Sequence, residues 1–259
     1  MGTDALVGSI ARAQSALSAL ARMPLGASFT EIMAWTEFTK ATTHRVLASL
    51  MDVHYVYQDP DSRKYHLGSA LAALARTANR SNLVALTKRS MRRIADASAD
   101  TVFLSIPEGA VSICVARELG AFPIRTLSLD AGDRMPLGVG ATGQALYAST
   151  PKRTRQVAAR ANIAWMADYN LTPELAEELA EDFERRGYAL NPSIPIPGMS
   201  AVALPIRTSG GRLVAAIGIG AINERMSEAR IEQELVPLLR HEVALLGEKL
   251  SALEEEGLF

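Results

Sequence analysis

Two groups of residues have types and spacings that could do chemistry. The first is the polar and basic run Thr39-Lys40-Ala41-Thr42-Thr43-His44-Arg45, and the second is the glycine series Gly138-Val139-Gly140-Ala141-Thr142-Gly143. Short hydroxyl side chains at a helix start allow close approach to a nucleic-acid groove, where Lys and Arg contact phosphates or base edges. Threonine there is also typical of a solvated cap. On these residues alone, nucleic-acid contact and an ordinary solvated helix both remain open.

The glycine series spells G-x-G-x-x-G, the pattern of a dinucleotide-binding loop. That loop requires a buried strand directly before it and an acidic residue about 20 positions later, at the end of a second strand. Here residues 130–136 separate the glycines from the preceding apolar run, and helix-like segments follow. Asp168 is near the right distance, but its context is helical or loop. A nucleotide-binding enzyme using residues 138–143 is therefore an alternative and not the favoured interpretation.

The same glycines have a second use, because they lead into a short helix-like segment, Gln144–Ala148. The free amides and positive dipole end of a helix amino terminus bind anions such as carboxylates. Glycine and other small residues let a ligand approach the backbone closely. The series therefore also predicts an anion site.

No other arrangement predicts catalysis or metal binding. The single Cys114 excludes an internal disulfide and lies in an apolar run, so we expect it to be buried and unreactive. His54, His66 and His241 lack metal-ligand spacing, and a nucleophile elbow is absent. We expect no enzymatic activity, no cofactor and no metal.

Composition limits the partners of the chain. Its 259 residues are 48% hydrophobic and 21% charged, which is ordinary for a globular protein of one or two domains. The net charge of −1 excludes a generally basic nucleic-acid coat. Residues 1–80 hold eight basic and six acidic side chains, a net +2 that leaves −3 for the rest. We expect any DNA contact to be local to this first part. Neither a signal peptide nor a membrane span is recognisable, so we expect a cytoplasmic protein without membrane contact.

The first 70 or so residues contain signals for three short helices and a β-hairpin. Ser9, Ser28 and Thr39 are the candidate N-caps of these helices. Turn residues 59–62 separate two β-prone runs, 54–57 and 64–67. Helix, helix–turn–helix and hairpin is the order of a winged helix-turn-helix domain, whose second turn helix lies in the major groove of DNA.

The remainder of the chain predicts an α+β domain. Residues 69–99 read as helical, and the polar segment Asn79–Asn82 marks a linker. A long amphipathic helix is expected from Ser227, with a kink at Pro237. Strands are predicted at residues 102–106, 111–115, 124–129, 201–207 and 213–219.

Several segments, taken in order, resemble the isocitrate-lyase-regulator (IclR) family of bacterial transcription regulators. They are Ser9–Ala13, Thr39–Leu50, Asp59–Gly68 (DPDSRKYHLG), Pro136–Ala148 (PLGVGATGQALYA), Arg186–Ala189 and Ala201–Gly220. Each is weak alone, and their order and spacing make the match specific. The resemblance implies a winged helix-turn-helix domain at residues 1–68, a linker helix at 69–90 and, at 91–259, an effector-binding domain with a GAF-like fold and an antiparallel sheet. It also implies a homodimer, or a dimer of dimers, on double-stranded operator DNA with inverted half-sites.

Because a helix-turn-helix and a wing are predicted around it, DNA contact becomes the favoured interpretation of the polar run 39–45. The candidate DNA-binding residues are Thr39, Lys40, Thr42, Thr43, His44 and Arg45 on the helix and Arg63 and Lys64 in the wing. His44 is compatible with DNA contact and with packing near the surface. A second basic run, Lys88, Arg89, Arg92 and Arg93, reads as a solvated helix face in preference to a DNA or partner contact.

The resemblance also implies an effector pocket around the glycine series. Its candidate residues are Ile124, Leu127, Met135, Ala141, Thr142, Gly143, Asn191, Ala201, Gly218 and Gly220, with Trp165, Met166 and Tyr169 as a cover of the pocket or of the core. Family members that hold small keto-acids place Asp, Cys and Ser side chains at such positions. Asn191, Ala201, Gly218 and Gly220 stand there in this chain, so we expect a larger, less polar pocket for a small organic acid, aromatic or otherwise bulky. Plain core packing of the aliphatic residues, and a DNA-binding protein that needs no effector, remain alternatives.

Overall fold

The helices and hairpin of the first part of the chain form one compact unit, and the remainder forms a second. Their boundary falls between Ser81 and Asn82. The structure is a computed structural model that describes residues 2–126, 128–194 and 196–256, and the side chains of these residues except 2–7, 76, 78, 79 and 81. The domain limits expected at residues 68 and 90 stay predictions.

The first unit has the order of a winged helix-turn-helix domain. It consists of α1 (Gly2–Ala21), α2 (Phe29–Thr36), α3 (Lys40–Asp52), β1 (Val56–Gln58) and β2 (Tyr65–Leu67). The two strands are antiparallel, with Val56 opposite Leu67. The hairpin is joined to the start of α2 because Ala27 and Tyr65 exchange two backbone hydrogen bonds, of 3.0 and 2.8 Å.

Side-chain caps fix the helix pair of the turn. Ser28 and Glu31 form a capping box at the start of α2, in which each side chain accepts a hydrogen bond from the other residue's backbone amide. Glu37 ends α2 in the left-handed conformation (φ 57°), and Thr39 then caps α3 by accepting from the amide of Thr42. The expected cap at Ser9 is wrong: α1 begins at Gly2, so Ser9 lies inside the helix.

One small core holds the first unit together. Leu20 from α1, Ile32 from α2, Leu47 and Leu50 from α3 and Val56 from β1 are buried against one another. The apolar stripe of α3 therefore faces inward, which leaves its opposite face to the solvent.

The second unit is built on a six-stranded antiparallel sheet with the order β5-β4-β3-β8-β7-β6. The strands are β3 (Thr101–Glu108), β4 (Val111–Glu118), β5 (Arg134–Pro136), β6 (Ala189–Pro192), β7 (Met199–Arg207) and β8 (Leu213–Ile222). The strand predicted at residues 124–129 is wrong, since none of its described residues belongs to a strand. The outer edge of β4 pairs instead with β5, over Val111–Ile113.

Helices cover both faces of the sheet. They are α4 (Ser69–Ser98), α5 (Gly140–Ala148), α6 (Lys152–Ala161), α7 (Ile163–Ala167), α8 (Pro173–Arg186), α9 (Glu228–Arg230) and α10 (Val236–Glu255). Ile217 and Ile219 share a core with Ile94 of α4 and Leu239 of α10. Ala216 lies on the opposite face because side chains alternate along a strand, and there it packs in the core of α5, α6 and α8.

Of two connections, one differs from the sequence prediction. Helix α4 is continuous through Asn79–Asn82, the polar segment within which the boundary between the units falls. The helix expected from Ser227 is interrupted, because a π-helical turn, Ile231–Leu235, separates α9 from α10. Pro237 follows that turn at the start of α10, where its missing amide costs little.

A buried carboxylate joins the end of α4 to the segment after β8. Asp100 is 3% exposed, and both Arg225 and Arg230 donate to it at 2.8 Å and to the carbonyl of Ser98 at 2.9 Å. Removing this buried carboxylate would leave Arg225 without its counter-ion and Arg230 with only the exposed Glu234, 3.4 Å away.

We expect Asp100→Ala to lower the free energy of unfolding by about 3 kcal/mol, the lower end of the usual cost because both arginines are partly solvated. Arg92→Ala is the control, since Arg92 and Asp96 form an exposed pair and the loss should stay below about 1 kcal/mol. Urea unfolding followed by circular dichroism measures both, and equal losses would contradict the role given to Asp100.

Candidate functional site

The exposed face of α3 carries the basic residues of the polar run. Lys40, His44 and Arg45 are exposed, and Thr42 is half-buried. Lys40 and His44 are one helical turn apart, so they share a side of α3. The hydroxyl of Thr39 caps the helix and donates to that of Thr42 at 3.0 Å. The accessible positive charge on α3 therefore comes from Lys40 and Arg45.

Thr43 is a correction to the predicted set. Its side chain is 1% exposed, and its hydroxyl donates to the carbonyl of Thr39 at 3.1 Å. Thr43 points into the core on the same side as Leu47, one turn later. It therefore has a structural role and is not available to DNA.

The wing presents its basic residues from a well-ordered turn. Asp59 accepts two hydrogen bonds of 2.7 Å from the amide and hydroxyl of Ser62, and these bonds hold the pKa of its carboxyl below the usual value. Arg63 is exposed in the left-handed conformation (φ 58°), and Lys64 is half-buried. The turn that sequence analysis predicted thus places a guanidinium group near the tip of the hairpin.

The basic run of α4 behaves as a solvated and paired helix face. Arg92 pairs with Asp96 and with Glu118, and Arg93 makes two hydrogen bonds to the buried Glu242 of α10. Lys88 and Arg89 are exposed. The pairing of Arg92 and Arg93 within the second unit agrees with the interpretation favoured from sequence.

The second unit contains a cavity of about 110 Å³. A water molecule needs roughly 10–15 Å³ of such space, so the cavity has room for a small organic molecule. Seven predicted effector residues line it: Met135, Ala141, Thr142, Asn191, Ala201, Gly218 and Gly220. Seven of the ten predicted effector residues therefore lie together around one cavity, and they form less than half of its wall.

Two other predicted positions, Ile124 and Gly143, are not among the lining residues. Ile124 is 54% exposed and is not a lining residue, although Thr126, Ser128 and Leu129 of the same segment do line the cavity. Gly143 is turned away from the cavity, and a Cβ there would meet Ser112 and Gly138. Leu127 lies outside the described residues.

Sequence reasoning missed several lining residues. They are Phe103, Thr126, Ser128, Leu129, Val139, Gly140, Ile196, Met199 and Ser200. Tyr169, considered as a cover, does line the cavity, whereas Met166 is fully buried in the neighbouring core and Trp165 is not a lining residue. The sequence predicts that Phe103 lies in a strand. Only the register of that strand, which places Phe103 opposite Gly218, shows that it borders the cavity.

The amino end of α5 is the polar end of this cavity. Val139, the N-cap residue, offers no side-chain hydrogen bond, and Val139–Thr142 line the space. Gly138 (φ 108°) and Gly140 (φ 71°) adopt left-handed conformations that bring the chain into the helix. Uncapped amides and the helix dipole favour an anion at this point.

The other polar groups are hydroxyls and one amide. Thr142 shares a 2.9 Å hydrogen bond with Ser105 of β3, and Asn191 accepts from the amide of Ile194. The lining residues that the structure describes include no Lys, Arg or His. An anion in the cavity would therefore rely on backbone amides and uncharged side chains.

The enzyme alternative lacks its structural setting. The described strands pair only in antiparallel fashion, so Gly138–Gly143 has no parallel βαβ unit to complete a dinucleotide site. Cys114 is buried as predicted, and burial raises the pKa of its thiol to about 11. In the part of the chain that the structure describes, no group of three or more metal-ligating side chains occurs.

The fold and these two sites define a transcription regulator, with a winged helix-turn-helix unit and a second unit that can hold a ligand. Residues 9–60 match the IclR helix-turn-helix domain, and residues 75–246 match the bacterial transcriptional regulator IclR C-terminal domain. The second match alone covers more than half of the chain, so the chain belongs to the IclR family. Members of this family are transcription regulators and not enzymes.

Similar proteins agree with this assignment. The HTH-type transcriptional regulator BhcR of Paracoccus denitrificans is 28% identical over 210 residues, which are 80% of this chain and 75% of BhcR. The HTH-type transcriptional repressor AllR of Escherichia coli is 25% identical over 208 residues, 78% of this chain and 76% of AllR. An IclR-family regulator from Rhodococcus sp. has 26% identity and a TM-score of 0.68, with 95% of this chain and 93% of that one covered.

The expected α+β fold, with an amino-terminal helix-turn-helix domain and an antiparallel carboxyl-terminal sheet, is confirmed. Among the helices of residues 2–126, 128–194 and 196–256, none has the length and apolarity for crossing a bilayer.

The glycines of the cavity floor yield a stability prediction. A Cβ at Gly218 would lie 2.8 Å from the carbonyl oxygen of Val202, whereas one at Gly220 would lie 3.2 Å from a ring atom of Phe103, which can shift. Gly218→Ala should lower the free energy of unfolding by about 1–3 kcal/mol and Gly220→Ala by less. Urea unfolding of the two variants measures both free energies. A greater loss of stability for Gly220→Ala than for Gly218→Ala would contradict this geometry.

Proposed function

We propose that this protein is an effector-responsive regulator that reads operator DNA with α3 and the wing and binds a small organic acid in the cavity of its second unit. The observation that supports the sensing role most directly is the mainly apolar cavity with the uncapped amino end of α5 in its wall. A DNA-binding protein without an effector would need no such cavity. We also propose that it acts in the cytoplasm.

The DNA-binding part of the proposal concerns the exposed polar residues of the first unit. In this domain class the second turn helix enters the major groove and the wing lies beside it. We assign base or phosphate contacts to Thr39, Lys40, Thr42, His44 and Arg45 of α3 and to Arg63 and Lys64 of the wing. Each phosphate contact should steepen the salt dependence of binding by about one unit. A homodimer, or a dimer of dimers, would read inverted half-sites.

The ligand part of the proposal follows from the wall of the cavity. A carboxylate at α5 would be held by backbone amides. Ala201, Gly218 and Gly220 add no polar side chain, and Phe103 and Tyr169 supply aromatic surface. These residues favour an acid with an apolar body, and in particular an aromatic acid, over a two- or three-carbon keto-acid.

Regulation requires that the acid bind the DNA-competent and DNA-incompetent states with different affinity. We propose α4 as the transmission element because this continuous helix contributes residues to both units. The sign of the effect, repression or activation, follows from the operator and not from these contacts.

We expect Arg45→Ala to weaken operator binding about tenfold or more, because a base-contacting arginine contributes roughly 1–3 kcal/mol, while acid binding stays unchanged. Arg153→Ala is the matched control, since Arg153 is an exposed arginine of α6 in the second unit. Fluorescence anisotropy on the DNA that flanks the gene measures the first quantity, and calorimetry with benzoate measures the second. Equal loss of both activities, or no loss of DNA binding, would contradict the proposed division of labour.

A further inference from the structure

One buried polar group in the cavity wall lacks a partner. Thr126 is 5% exposed, and among the described residues its hydroxyl has no hydrogen-bond partner. A buried hydroxyl without a partner costs free energy, and native proteins rarely leave one. Because Thr126 lines the cavity, a bound molecule could supply the missing partner.

Two glycines of β8 lie beside Thr126 and the amino end of α5. Gly218 and Gly220 point to the same face and are about 7 Å apart along the strand. A Cβ at Gly218 would lie 3.2 Å from the methyl group of Thr142, and one at Gly220 would lie 3.4 Å from that of Thr126. Thr142 and Thr126 are therefore the neighbours of two positions whose spacing along the strand is comparable to the length of a substituted six-membered ring.

An aromatic side chain covers the floor between these two points. Phe103 is opposite Gly218 in the β3–β8 register, and its Cε2 would lie 3.2 Å from a Cβ at Gly220. The ring is 5% exposed and lines the cavity. A flat apolar surface of this kind suits a planar apolar body.

The side chain of Thr126 can present its hydroxyl without moving the backbone. Its hydroxyl and methyl arms are similar in size, and rotation about χ1 exchanges their positions. The group that meets it should be uncharged, because the lining residues include no cationic side chain that could balance a second anion.

We propose that Thr126 is a specificity-determining residue that selects acids carrying an uncharged hydrogen-bonding substituent, a hydroxyl or carbonyl, one ring away from the carboxylate. The carboxylate lies at the amino end of α5 and the planar body lies against Phe103. This inference rests on the proposed function, because it concerns the same cavity.

Matched acids test the role of Thr126 in the full-length protein. Calorimetry compares benzoate with 4-hydroxybenzoate, which differ only in the hydroxyl group, and includes glyoxylate as a small acid. We expect 4-hydroxybenzoate to bind about three- to tenfold more tightly than benzoate, the range of one ordinary hydrogen bond. Thr126→Val should remove this preference and keep the affinity for benzoate, whereas Thr126→Ser should retain the preference.

Thr208→Val is the control variant. Thr208 is also buried with an unpartnered hydroxyl, but it lies outside the cavity. This variant should keep the full preference. The melting temperature of the unliganded Thr126→Val protein should be unchanged or higher, because valine removes an unpaired buried hydroxyl, and this measurement verifies that the variant folds.

The possible results separate the inference from the proposed function. Equal binding of benzoate and 4-hydroxybenzoate, a preference that survives in Thr126→Val, or binding of glyoxylate alone would overturn the role of Thr126. If the acids bind and change operator affinity in those cases, the proposed function stands. If none of the acids binds or changes operator affinity, both the inference and the proposed sensing of such acids are wrong.

Discussion

The amides at the amino terminus of a helix need acceptors, and α5 differs from α2 and α3 in how this need is met. At α2 and α3 the acceptors are the side chains of Ser28 and Thr39, which fix the turn between the helices. At α5 no side chain caps the helix, and its first turn lines a cavity. The capped ends fix the helix-turn-helix, and we propose that the uncapped end of α5 receives the ligand.

Small residues leave room for the cavity at the amino end of α5. Ala203 and Ala216 allow α5 to lie close against the sheet, and Gly218 and Gly220 leave open space at its amino end. Side chains at the two glycines would fill that space or strike the neighbouring strand. The other face of the same strand carries Ile217 and Ile219, which pack with α4 and α10. One strand thus supplies both core and cavity floor, because its side chains alternate.

The sequence predicts well what local chemistry decides. Ser28 and Thr39 cap their helices through residues only three positions away, and residues 59–62 form the predicted turn of the wing. The N-cap predicted at Ser9 is wrong because serine also occurs inside helices. The burial of Thr43 depends on which face of α3 meets the core, and that is decided by distant residues.

The wall of the cavity also depends on residues that are distant in the sequence. Its candidate residues came from resemblance, and those on regular elements, such as Thr142 and Gly220, do line it. The segment 124–129 read as a strand because its composition is β-prone, but the outer edge of β4 pairs instead with β5. Phe103 and Thr126 were missed because each becomes part of the wall only through its contact with Gly220.

The proposed function depends on the binding of an acid at the amino end of α5. Amide nuclear magnetic resonance of protein labelled with ¹⁵N at alanine, threonine and glycine tests it most directly, during titration with benzoate and, separately, with the uncharged benzamide. We expect large saturable shifts at Gly140, Ala141 and Thr142 with benzoate and much smaller ones with benzamide. Equal shifts with both compounds, or shifts confined to other segments, would contradict it.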